Sequence, residues 1–289
     1  MGIHLDRAKA HFGRDTSGML EGGRYALVHS RSLEFDDLRP YVRGDDVRDI
    51  DWKASARSGH TLVKRFVTEK HHKIVVVADA GRNSAALAPS GEPKADVAAN
   101  LIGAMGLITT RRADEIGMVF GDDRGCVEIR LRRGETHVEH MLNRFVHHTV
   151  SRPGPSDIVT QLDWVSRHHR HPRLIFVVSD EPDVDERLTD VVTRLTGRHD
   201  VLWAMVADAP AVGSTADDGD GYDVRDGGFV LATSLGPRVI DAYRKAERER
   251  RQRLSKFMTV HGIPHAVVRG SASIRNALGA ITEVHARAR

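Results

Sequence analysis

Five short apolar runs separated by helix-period segments constrain this chain more than any other feature. Lys73–Ala78 is an uninterrupted run that stops at Asp79, and Ile116–Phe120, Arg173–Ser179, Val201–Ala207 and His265–Val268 repeat the pattern. A strand buried on both faces needs such a run. Between them, Lys94–Arg112, Asp157–His169, Asp185–Arg198 and Pro237–His261 carry apolar residues at helical spacing. Strands alternating with helices imply right-handed crossovers. The expected fold is therefore α/β, a doubly wound, mainly parallel sheet of about six strands covered on both faces. The sixth strand, Cys126–Leu131, follows Ile116–Phe120 across the turn Gly121–Gly125. So short a connection predicts an antiparallel pair.

Before Lys73 the character changes. Leu33–Tyr41 and Gly59–Thr68 are strand-like, but the charge density is high and no apolar run is long enough to bury. Residues 1–72 are expected to form an N-terminal β-rich extension, with 73–289 as the main domain. Ala211–Gly228 is rich in Gly and Asp without periodicity and reads as a surface loop.

Composition narrows the setting. With 289 residues and 40% hydrophobic content the chain can bury a full core. Its single cysteine, Cys126, rules out an intramolecular disulfide and fits a reducing compartment. Met1–Asp15 carries charges throughout and lacks the apolar core of a secretory signal. The longest apolar stretch, Val97–Ile108, is interrupted by Asn100 and falls short of a membrane span. A soluble, cytoplasmic protein is expected. The 43 basic and 40 acidic side chains are intermixed, so net charge gives no reason to expect nucleic-acid binding.

The segment Leu33–Glu69 holds the most specific text, Arg43-Gly44-Asp45-Asp46-Val47-Arg48, then Ile50-Asp51-Trp52-Lys53 and Ser55-Ala56-Arg57. It resembles the signature of a bacterial family of unknown function that carries a von Willebrand factor A-like domain. Genes of that family commonly neighbour MoxR-type AAA+ ATPases. The resemblance continues through the junction at Asp79, the strand end Ser179-Asp180 and the Ala242–Ile263 region. Physically, Arg39, Arg43, Arg48 and Arg57 interleaved with Asp45, Asp46, Asp49 and Asp51 suggest a partly buried ion-pair lattice with Trp52 as its apolar anchor. Such a lattice either pins the extension to the main domain or docks a partner.

The resemblance also implies a metal site to test. Von Willebrand factor A domains bind Mg²⁺ at the carboxyl ends of their strands through Asp-x-Ser-x-Ser, a Thr from a second loop and an Asp from a third, all hard oxygen donors. Here the first loop reads Asp79-Ala80-Gly81-Arg82-Asn83-Ser84. Glycine and asparagine stand where the two serines belong, and Arg82 adds a positive charge. Asp180 matches the third-loop aspartate, while Thr136 and Thr160 compete for the second-loop hydroxyl. The expectation is a degenerate Mg²⁺ site of Asp79, Asn83 and Asp180, with no firm cofactor.

Other chemistries fit less well. Asp79, Asp180, Glu181, Asp183 and Asp185 have the composition of a two-metal nuclease centre. The run from Glu181 to Glu186 is equally the start of a helix, where acids favour the dipole. Adjacent histidines (His71-His72, His147-His148, His168-His169) point apart and lack a zinc-binding spacing. No phosphate-binding Gly-rich loop occurs. Arg244–Lys256 carries seven basic and two acidic residues on an expected helix whose inward face is Ile240, Tyr243, Leu254 and Phe257. Such a stripe suits a solvated face, an acidic partner, nucleic acid or an anionic surface. The reading is a non-enzymatic, protein-binding adaptor or co-chaperone that works with a MoxR-type ATPase. The expected partner contacts are Arg82, Arg43, Asp45, Asp46, Arg48, Trp52 and Arg57, with Arg82 meeting an acidic residue without a metal.

Overall fold

The computed structural model describes residues 2–12, 34–42, 45, 47, 50–67, 72–209, 221–224, 227–230 and 236–287. The chain divides into two compact units, Met1–Leu27 with His72–Arg289, and Val28–His71.

The larger unit is built on a six-stranded sheet. Its strands are β3 (Lys73–Asp79), β4 (Glu115–Asp122), β5 (Gly125–Arg132), β6 (Leu174–Ser179), β7 (Asp200–Val206) and β10 (His265–Val268). They lie in the order β10-β7-β6-β3-β4-β5, all parallel except β5, which runs antiparallel to β4. Each of the six apolar runs read from the sequence is a strand of this sheet. Two strands, β8 (Gly221–Tyr222) and β9 (Phe229–Val230), pair as a separate small hairpin. The expected loop Ala211–Gly228 therefore contains β8, and its residues 211–220, 225 and 226 lie outside the described part.

Alternation along the strands sorts the core into two layers. Val75, Val77, Ile175, Val177, Val201, Trp203 and Met205 pack against α5 (Ile158–His168) and α6 (Glu186–Thr196), joined by Leu254 and Met258 of α7 (Pro237–Val260). Helix α6 shows why: its buried residues are Leu188, Val191, Val192 and Leu195, one face at helical spacing, and Asp185 caps it by accepting from the Leu188 N–H. The opposite layer holds α3 (Lys94–Arg111), which is buried over 14 of its 18 residues, with α4 (Glu135–Val150) against it. Gly103 and Gly106 permit this contact, because a Cβ at Gly106 would sit 2.3 Å from Val138 Cγ1. Helix α8 (Ile274–Arg287) packs on β10 and β7.

The N-terminal boundary differs from the sequence reading. Helix α1 (Ile3–Phe12) belongs to the larger unit, packed on α3 and α4. Leu5 and Ala8 are buried, and a Cβ at Gly103 would lie 2.7 Å from the Ala8 Cβ. The Glu139 carboxylate of α4 accepts the α1 amides of His4 (3.2 Å) and Leu5 (2.8 Å). An acid here satisfies free N–H groups and balances the positive end of the helix dipole.

The smaller unit pairs β1 (Glu34–Pro40) with β2 (Leu62–Val67) antiparallel, with a bulge between Phe35 and Asp37. Helix α2 (Trp52–Ser58) lies between them in sequence, capped by Asp51 and ended by Gly59 at φ 73°. Among the described residues no helix is long and apolar enough to cross a membrane.

Two buried histidines at the amino-terminal edge of the sheet give the fold a pH dependence. His169 and His199 are 7% and 5% exposed. Burial first, then the charges of Arg173 and His168, lower His169 to about 4 from the ordinary 6.5. Burial first, then Arg198 and His169, do the same to His199. Glu128, 3.6 Å from His169 Nε2, pulls the other way without reversing the direction. The unfolded chain therefore takes up protons that the native state refuses, so stability is full above about pH 6.5 and is lost as pH falls through 4. The contribution is read by difference: between pH 7 and pH 4, His199→Gln should lose less melting temperature than wild type.

Candidate functional site

The carboxyl ends of β3, β6 and β7 bring the charged residues together. Asp79 ends β3, Asp180 follows β6, and Asp208 follows β7. The parallel register sets Ala78 beside Val178 and Val178 beside Ala204, so the three acids emerge from neighbouring strands on one edge. In open α/β sheets this is the edge where ligands bind.

A lysine sits among them. Lys94 opens α3 and is 2% exposed, with its ammonium bonded to Asp180 Oδ1 and, at 2.5 Å, to Asp208 Oδ1. Its backbone N–H donates to the Ala86 carbonyl at 2.9 Å. Burial works against the ammonium charge, but Asp180 and Asp208 more than compensate and hold its pKa above the usual lysine value. On its other oxygen, Asp180 Oδ2 accepts from Asn83 Nδ2 at 2.8 Å.

The first loop is closed by a neighbouring segment. Asp79 Oδ1 accepts the Gly81 N–H at 2.8 Å. The Asn83 N–H donates to Ser156 Oγ at 3.2 Å, and the Arg82 N–H donates to the Gly154 carbonyl at 2.8 Å. A Cβ at Gly81 would lie 2.5 Å from Ser156 Cα and 2.7 Å from Ser156 N. No side chain fits there without moving backbone. Burial first, then the Asp180 charge, push the Asp79 carboxyl up to about 7, against the hydrogen bonds from Gly81 and Ser156.

That neighbouring segment is itself anchored. Asp122, at the end of β4 and 2% exposed, accepts the Gly154 N–H at 2.7 Å and the Arg124 N–H at 2.9 Å. It also takes the Arg124 guanidinium at 2.6 Å and faces His148 Nε2 at 3.3 Å. Burial raises its pKa, but Arg124 and the two amides outweigh that and hold the carboxyl well below the usual range.

The remaining expected site residues are scattered. Arg82 is exposed on the turn Arg82–Ala85 beside the cluster. Thr136 lies in the first turn of α4, and the Thr160 hydroxyl donates to Asp157 at 2.8 Å, so neither reaches Asp79. The hydroxyl that does belongs to Ser156. Glu181, 8% exposed, is held by Arg250 (2.7 Å) and Arg251 (3.1 Å) of α7, and Asp185 is a helix cap. These acids serve the fold, and among the described residues no group of three or more His, Cys, Asp or Glu is placed to hold a metal ion. Part of the basic stripe of α7 is therefore an internal clamp. Its inward face also differs from the reading, since Leu254 and Met258 are buried while Tyr243 is 42% exposed.

In the smaller unit Trp52 is 68% exposed, so it is not a buried anchor. It is the first residue of α2, directly after the Asp51 cap. Arg39 forms two bonds with Asp45, at 2.9 and 2.7 Å, and Asp45 also accepts the Val42 N–H. Arg57 lies in the last turn of α2. Arg43, Asp46 and Arg48 lie outside the described residues.

Sequence reasoning missed Lys94, Asp208 and Ser156. Lys94 had a signal, because a cation in the first turn opposes the helix dipole and needs an anionic reason to be there.

A mostly parallel six-stranded sheet with one antiparallel edge strand, helices on both faces and charged residues gathered at its strand ends makes this a doubly wound α/β domain. Over residues 37–224 the chain matches the family described as "Protein of unknown function DUF58", and it belongs to that family. Uncharacterized proteins of Mycobacterium bovis and Mycobacterium tuberculosis are similar to it, each 23% identical over 249 residues, 86% of this chain and 78% of the relative. Among solved structures, an aerotolerance-related membrane protein of Bacteroides fragilis aligns with TM-score 0.46 and 15% identity over 73% of this chain and 98% of that one. A von Willebrand factor type A protein of Catenulispora acidiphila aligns with TM-score 0.42 and 12% identity over 78% and 44%.

Proposed function

We propose that this chain is a non-enzymatic protein-binding adaptor or co-chaperone of the cytoplasm, with a MoxR-type AAA+ ATPase as its partner. The observation that carries the reading is Trp52, an exposed tryptophan at a fixed helix start in the segment that bears the family signature. Tryptophan dominates binding energetics where it is presented rigidly, because it contributes a large contact area at small entropic cost. Tyr41, Val42 and Val47 are also exposed, at 37%, 60% and 62%, and Arg39 nearby is paired with Asp45. The ATPase follows from the family resemblance.

Affinity purification of the full chain from its native cell, with and without ATP, tests this. The ATPase should be recovered, and Trp52→Ala should weaken its binding about 30-fold, as loss of an interface anchor does. Unchanged binding by Trp52→Ala, or recovery of nucleic acid in place of protein, would remove the reading.

A further inference from the structure

The resemblance to von Willebrand factor A-like domains implies a divalent cation at the strand ends, and the residues present do not fit one. Three observations disagree with it independently. Gly81 has no ligand atom, and a serine there would collide with the Ser156 backbone, 2.5 Å from where its Cβ must lie. Asn83 turns its amide N–H₂ to Asp180, donating at 2.8 Å, so a donor occupies the carboxylate edge where a metal would need an acceptor beside it. The remaining edge of Asp180, with Asp208, is taken by the Lys94 ammonium, which is 2% exposed.

We propose that Lys94 is a built-in cation, an ammonium fixed in the place where related domains take up Mg²⁺, so that the strand-end cluster holds its carboxylates together without any metal. The chemistry is consistent. An ammonium is a compact point charge with three donors, able to bridge two carboxylates as a small cation does, and it cannot exchange with solvent. Its tether supplies permanence. Lys94 is the first residue of a helix buried along most of its length, so the side chain leaves a fixed backbone that also donates to the Ala86 carbonyl. The cluster is then insensitive to cellular Mg²⁺ and to chelators, where a metal-dependent domain would be switched by both. This inference does not rest on the docking surface of the smaller unit.

Thermal melts of the full chain in millimolar Mg²⁺ or Mn²⁺ and in EDTA test it. Wild type should melt at one temperature in all of them. Lys94→Ala, which opens space and leaves Asp180 and Asp208 without their cation, should melt several degrees lower and recover part of that in Mg²⁺ or Mn²⁺. A wild-type melting temperature raised by metal, with the rise abolished by Asp180→Asn, overturns the proposal. So does a Lys94→Ala protein as stable as wild type, or one whose lower melting temperature no metal restores. If Lys94→Ala does not fold, the double variant Lys94→Ala with Asp208→Asn removes a carboxylate together with the ammonium. Recovered folding there supports the counter-ion role, and continued failure overturns it.

Discussion

Trp203→Ala is expected to lower stability by about 3–5 kcal/mol, the range for emptying the space of a buried tryptophan. Trp203 is fully buried on β7 and is the largest side chain without exposure among the described residues. It stands between β6 and β10, beside Val177 and His265 in register. Its loss affects both the sheet and the layer of α5, α6 and α7, since Leu188, Val191, Met258 and Ile263 belong to the same cluster. Its indole N–H donates to Ser179 Oγ at 2.9 Å, and that hydroxyl in turn donates to the Asp180 carbonyl. The substitution therefore also loosens the residue that leads into the strand-end cluster. A fall in melting temperature of about 6–20 °C is the measurable form of this loss. Trp203→Phe keeps most of the apolar volume and should lose less.

Asp122→Ala is expected to cost about 3 kcal/mol, read as a fall of about 6–12 °C in melting temperature. The carboxylate is buried and accepts two backbone amides and a guanidinium. Arg124, whose side chain is 60% exposed, can return to water, whereas the Gly154 N–H is buried and is left without an acceptor. Such orphaned groups account for most of the cost. Gly154 precedes Ser156, which stands over Gly81, so this variant should also release the first loop. Faster amide exchange at Arg82 and Asn83, whose N–H groups donate to Gly154 and Ser156, would show it. Asp122→Asn keeps one acceptor oxygen and should fall between wild type and Ala.

The sheet was legible because its strands are buried on both faces and so appear as unbroken apolar runs. Lys73–Ala78 and Arg173–Ser179 show this most plainly, and their ends located Asp79 and Asp180. Helix α4 was harder. Its buried residues, Val138, Met141, Leu142, Phe145 and Thr149, have helical spacing, but four histidines and several charges on the outer faces dilute it. Helix α8 has the same difficulty, with Ile274, Ala277, Leu278 and Ile281 as a narrow stripe. The cluster of Lys94, Asp208 and Ser156 exceeds what one sequence conveys. Lys94 and Asp208 are 114 positions apart, and only the crossover connections bring them into contact. Trp52 was misplaced for a related reason, since a tryptophan among ion pairs reads as an anchor until its exposure is known.

The two outer strands of the sheet have a consequence for assembly. β5 carries Glu128, Arg130 and Arg132 exposed along its length, and β10 is four residues long and follows Pro264. Charges on one border and brevity beside a proline on the other both discourage a foreign strand from adding to the ladder. Copies of this domain crowded together in a cell should resist stacking edge to edge into fibres. A partner peptide that binds in extended form would find both borders of this sheet poor places to add a strand, which favours loops and helix faces for recognition.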